Sequence, residues 1–125
     1  MEKVHFDQAK LWLDAAQYIA DCNKSQCHAV ALAMLIHAVI KANDSLTFKF
    51  KQVTARKHDD AKYLFEKLVS ENLIGAQYAQ YKNIIQDVIQ EKARVEYRGS
   101  YVSKADYESM LRKAQKFISM AAGIV

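Results

Sequence analysis

Arg56, Lys57 and His58 stand together before two aspartates in "TFKFKQVTARKHDD", the stretch from Thr47 to Asp60. A histidine can move a proton near neutral pH, and adjacent cations can hold a phosphate or stabilise the charge that builds on it during transfer. With Lys49 and Lys51 just upstream, the run is a candidate anion site, to which the start of a following helix would add unpaired N–H groups. Against this, basic residues are common on surface loops, and Asp59 and Asp60 would repel an anion at that helix end. The stretch therefore reads first as a helix boundary and second as the best available anion-binding candidate.

Two further constellations bear on function. Lys92, Arg94 and Arg98 interleave with Tyr97 and Tyr101, a mixture that suits phosphate contact and base stacking as well as ordinary packing. His37, Lys41 and Asp44 follow one another at steps of four and three, so they share one stripe of a helix that is otherwise apolar. That stripe either lines a groove where two subunits meet or marks the solvent side. Cys22, Cys27 and His28 do not complete the four ligands of a closed zinc site, and no metal or cofactor is expected. The chain has no glycine-rich phosphate loop, GxSxG elbow or HExxH motif.

The elements that must position these residues are helical. No proline and only three glycines interrupt the 125 residues, and 51% apolar with 26% charged residues is ordinary for one globular domain. Phe6, Ala9, Leu13, Ala16 and Ala20, with Trp12 and Ile19 beside them, give a first amphipathic helix. Ser25 is placed to cap a second, whose stripe runs Leu32, Leu35, Val39, Ala42 and Leu46. Its apolar run Ala29 to Ile40 is shorter than a bilayer requires and contains His37, so it is expected to be a core helix.

A third helix is expected to open at His58 to Asp60, to bury Leu64, Phe65, Leu68 and Val69, and to stop near "SENLIG", where Gly75 offers a terminator. A fourth carries Tyr81, Ile84, Ile85, Val88 and Ile89. "VEYRGSYV", Val95 to Val102, alternates around Gly99 and suggests a short hairpin or extended corner. Ser103 and Asp106 form a capping box for the last helix, with Met110, Leu111, Ala114, Phe117, Ile118 and Ala121 on its inner face. The expected fold is all-α, an up-and-down bundle of about five helices spanning residues 1–125 as a single domain. A formal charge of +4 allows attraction to polyanions, and two sparse cysteines with no leader-like apolar start point to the cytoplasm and to no membrane.

"HAVALAMLIHAVIKANDSLTFKF" followed by "HDDAKYLFEKL" resembles the second and third helices of HEPN domains, and "EKARVEYRGSYVSKADYESMLRKAQKFI" resembles one branch of that family. The resemblance runs from Phe6 to Ile118. It implies a HEPN-like bundle, a homodimer, and a role with RNA, nucleotides or a nucleotidyltransferase partner, as in toxin–antitoxin systems. HEPN nucleases carry an arginine followed four to six residues later by a histidine; here only His58 follows an arginine, two positions after Arg56. A binding or regulatory module is thus the expectation, and a metal-independent ribonuclease using Arg56 and His58 is the alternative.

Overall fold

The computed structural model describes residues 1–97 and 101–125, and among these all regular structure is helical. Five α-helices follow in order: α1 Glu2–Ala20, α2 Cys27–Lys51, α3 Asp60–Ser70, α4 Lys82–Tyr97 and α5 Lys104–Ile124, with a 3-10 helix at Ala76–Tyr81 ahead of α4. The architecture is the expected all-α bundle, built around α2, which packs against each of the other four α-helices.

The apolar spacing explains this centrality. Leu32, Leu35, Val39, Ala42 and Leu46 are all buried, and Ala31, Ile36, Ala38 and Ile40 bury the flanking surfaces, so α2 offers core to more than one side. By length and composition α2 could cross a bilayer, but 67% of its most apolar stretch is buried by the protein's own helices. A core helix passes the same test. Fully buried Ala9 and Ala16 on α1 meet an alanine-rich α2, and small residues let two helices approach closely. The pair is antiparallel: His5 lies by Phe48, Trp12 by His37, and Ala20 by Cys27.

Phe65 of α3 and Phe117 of α5 join the far side at a ring separation of 5.9 Å, with Tyr81 against Phe117 at 6.4 Å. Ile85 and Val88 of α4 are fully buried in the same cluster. The Ser103 hydroxyl accepts from the Asp106 N–H at 3.0 Å and the Asp106 carboxylate accepts from the Ser103 N–H at 3.3 Å, the expected capping box.

Four local expectations are corrected. α2 starts at Cys27 with Gln26 as its N-cap, and Ser25 makes no capping bond, because a turn at 24–26 separates it from the first helical residue. α3 stops at Ser70, inside the expected "SENLIG" stretch, but its terminator is Asn72 in the left-handed region, φ 59°, which asparagine tolerates, whereas Gly75 lies extended beyond it at φ −65°. The 3-10 turn delays α4 to Lys82. No hairpin starts at Val95, since α4 runs through Tyr97 and Val95 packs on the core seven residues after Val88. The centre of that expected hairpin, Gly99, lies outside the described residues.

Candidate functional site

The α1–α2 pair and the loop 52–59 together bring six polar or aromatic groups, His5, Trp12, His37, Lys41, Asp44 and His58, to one place. His5 and Trp12 are two turns apart and share a face of α1. His37, Lys41 and Asp44 share a face of α2. The Trp12 and His37 rings stack with centroids 4.9 Å apart, and the His58 ring meets His37 edge-on at 5.7 Å. His5 sits by Phe48 at 5.8 Å, close enough to Lys41 and Asp44 to feel both charges.

What fixes His58 over His37 is a set of buried polar residues on α2. Asn43, Asp44 and Thr47 are 0%, 5% and 0% exposed. The Asp44 Oδ1 accepts from the Ala55 N–H at 3.2 Å, the Thr47 hydroxyl donates to the Val53 carbonyl at 2.7 Å, and the Asn43 Nδ2 donates to the Ala61 carbonyl at 3.0 Å. Gln52, left-handed at φ 57°, closes α2 and turns the chain back toward these groups. Buried backbone needs partners, and here the core helix supplies them to the loop.

Burial sets the electrostatics. It pushes the Asp44 carboxyl above the usual aspartate range, against the Ala55 N–H bond and the charges of Lys41 and His5. It also holds His5 below the usual histidine range, assisted by Lys41 and opposed by Asp44. The cluster therefore combines desolvated acid and base groups with a half-buried ammonium, an arrangement able to bind an anion or exchange protons with one.

The sequence candidates divide sharply. His37, Lys41, Asp44 and His58 come together, although His58 and the α2 stripe had been separate constellations. Asp44 is core, which overturns a solvent-side position for it. Arg56 and Lys57 are exposed on the loop that delivers His58 and make no ion pair among the described residues. Lys51 is tied to Glu71 at 2.7 Å, a bond that lowers the Glu71 pKa, and Lys49 donates to the Ile124 carbonyl at 2.6 Å. Arg94 pairs with Glu91 at 2.9 Å and Asp106 at 3.3 Å, Lys92 is half-buried, and Arg98 lies outside the described residues. The Lys92, Arg94 and Arg98 run is thus remote from the histidines in the chain and partly committed to holding α5.

Sequence reasoning missed His5 and Trp12 as members of the site, and Asn43 and Thr47 as its supports. The seven-residue spacing of His5 and Trp12 was the available signal. Among the described residues, no group of three or more His, Cys, Asp or Glu side chains is disposed to hold a metal ion. Compared with protein-family models, curated proteins and solved structures, the chain has no significant match.

Proposed function

We infer that the chain is a HEPN-like binding or regulatory module that takes RNA or nucleotide phosphates at the Trp12–His37–His58 cluster. The observation that carries this reading is the run of three stacked and edge-packed rings, with Arg56 and Lys57 exposed beside it. Bases stack on aromatic faces with little regard to sequence, and unpaired cations supply the phosphate contacts. Trp12 keeps 36% of its surface open. Homodimerisation fits the same reading: Val4, Leu11 and Tyr18, seven apart, are 48%, 67% and 81% exposed along the face of α1 turned away from the core. A cytoplasmic location and a nucleotidyltransferase or toxin–antitoxin partner follow from the HEPN resemblance.

A second reading is favoured by one distance. His37 and His58 stand 5.7 Å apart between centroids, a separation at which one imidazole can take the proton of a ribose 2′-hydroxyl while the other protonates the leaving oxygen. Lys41, one turn from His37, would stabilise the phosphorane-like charge. The reaction would be metal-independent RNA cleavage.

The test is gel-shift and cleavage of a mixed RNA pool at low and physiological salt. Binding is expected to weaken steeply with salt, and Trp12→Ala to weaken it about five- to hundredfold, the worth of one stacking contact. Arg56→Ala/Lys57→Ala reduces binding and its salt slope, whereas Lys51→Ala, already paired with Glu71, leaves both unchanged. Cleavage abolished by His37→Ala and by His58→Ala supports the nuclease reading. Salt-independent binding, or none, overturns the anion-site reading.

A further inference from the structure

Cys22 and Cys27 bracket the turn that joins α1 to α2, and their side chains meet. The Cys22 N–H donates to the Ile19 carbonyl at 3.1 Å, prolonging the last turn of α1, while the Cys27 sulfur reaches back to the Ala20 carbonyl of that same turn at 3.7 Å. The two thiols are thereby brought into a hydrogen bond with each other. The connection is itself closed, the Cys27 N–H donating to the Lys24 carbonyl at 3.2 Å, so the backbone holds the pair together.

The two sulfurs differ in access. Cys22 is exposed, whereas Cys27 is 5% exposed. Cys27 is the first residue of α2, and Gln26 before it makes no side-chain capping bond. The N–H groups of Cys27 and His28 bond to the Cys27 sulfur instead and favour its thiolate. Burial first, then the Cys22 side chain, work the other way and hold the Cys27 thiol above the usual cysteine range. The Cys22 share of that rise disappears once Cys22 has lost its proton and charge to a mixed disulfide. A base stands ready for the second thiol: His28 Nδ1 lies 3.8 Å from the Cys27 sulfur, with its ring packed 5.8 Å from that of Tyr107.

We propose that Cys22 and Cys27 form a reversible dithiol–disulfide centre that is oxidised by small-molecule disulfides. The Cys22 thiolate attacks one sulfur of the oxidant, its S–S bond breaks, and one thiolate leaves, taking up the proton that Cys22 released. The Cys27 proton then passes to His28, the Cys27 sulfur attacks that of Cys22, and the second thiolate leaves and takes the proton from the imidazolium. One disulfide is reduced to two thiols as the cysteine pair loses two electrons. The centre is independent of the histidine cluster, so either can fail without the other.

The sequence provides the assay, because trypsin cuts at Lys24, between the two cysteines. The reduced full chain is incubated with glutathione disulfide, quenched with iodoacetamide, and followed by mass spectrometry before and after digestion. The expected product has lost two hydrogens and retains no glutathione, and its tryptic peptides 11–24 and 25–41 stay joined until a reductant is added. Closure in the folded protein is expected to be at least about tenfold faster than in urea-unfolded chain, since the fold pre-positions the thiols. Cys27→Ser stops at the first step with one glutathione on Cys22, and Cys22→Ser takes up none over the same period because its remaining sulfur is buried. His28→Ala slows closure about tenfold or more while leaving capture at Cys22 unchanged. The proposal is overturned if the wild type does not react, keeps glutathione as a stable adduct, or links two chains instead of closing within one. It is equally overturned if Cys27 in Cys22→Ser reacts as readily as Cys22 in Cys27→Ser, or if closure is no faster in the folded than in the unfolded wild type, a comparison that decides even where Cys27→Ser fails to fold. An unchanged closure rate in His28→Ala overturns the role of His28 as the base.

Discussion

Asp44 offers the sharpest test of how the site is held. Its carboxylate does two opposed things: Oδ1 accepts from the Ala55 N–H at 3.2 Å, and its charge is desolvated in the core. Asp44→Ala removes both, leaving a half-buried N–H without its acceptor, which costs roughly 1–3 kcal/mol. Asp44→Asn keeps an oxygen acceptor and removes only the charge. At pH 7.5 the asparagine variant should therefore equal or exceed the wild type, and lie about 1–3 kcal/mol above the alanine variant. That gap corresponds to roughly 4–12 °C in Tm for a domain of this size. The pH dependence has a defined sign. Because the folded carboxyl titrates above its unfolded value, the folded state holds the extra proton between them, and the wild type loses stability as pH rises through that window. The advantage of Asp44→Asn over wild type should then shrink as pH falls toward and below the usual aspartate range. Urea melts of the three proteins at several pH values between 4 and 8 measure this. If Asp44→Asn is as damaging as Asp44→Ala, or gains on wild type as the solution is acidified, the account of a desolvated latch is wrong.

Two further stability measurements probe the frame. Phe117→Ala empties a fully buried position that holds both Phe65 and Tyr81, and should cost about 3–5 kcal/mol by denaturant unfolding; a loss under 1 kcal/mol would mean that the α3–α5 junction collapses to fill the space. Ser103→Ala breaks the capping box of α5 and should cost about 1 kcal/mol, with Ser103→Gly or Ser103→Asp less damaging; equal losses in all three would show that the cap is not what starts the helix.

Helix existence was legible because the apolar steps had no rival interpretation: Leu32, Leu35, Val39, Ala42 and Leu46 occupy one stripe, and all five are buried. The end of α3 was less so, because Gly75 is the stronger breaker by composition while Asn72 accepts the left-handed conformation three residues earlier. The Val95–Val102 alternation competed with a helical spacing already running through Val88, and packing of Val95 on the core decided for the helix. The site was half legible. Periodicity placed His37, Lys41 and Asp44 on one face, but a polar stripe has the same spacing whether water, a second subunit or a neighbouring helix covers it. Which neighbour covers it depends on the angle of α1 and the path of the loop, neither of which is encoded in the stripe itself.

The placement of buried polarity supplies the remaining argument for a site at His58. A loop of eight residues between two helices needs only surface residues to make its turn, and surface loops vary and move accordingly. Here, instead, Asn43, Asp44 and Thr47 sit in little more than one turn of the most buried helix, and each directs its side chain to backbone in the stretch from Val53 to Ala61. Apolar residues at those three positions would fill the core without the desolvation that raises the Asp44 pKa. The benefit obtained in exchange is geometric: the loop is fixed to the core at Val53, Ala55 and Ala61, which brackets His58 and holds its ring against His37. A connector does not require that precision, whereas a proton-exchanging or ring-stacking group does, because its partners lie within about 6 Å and lose their interaction with small displacements.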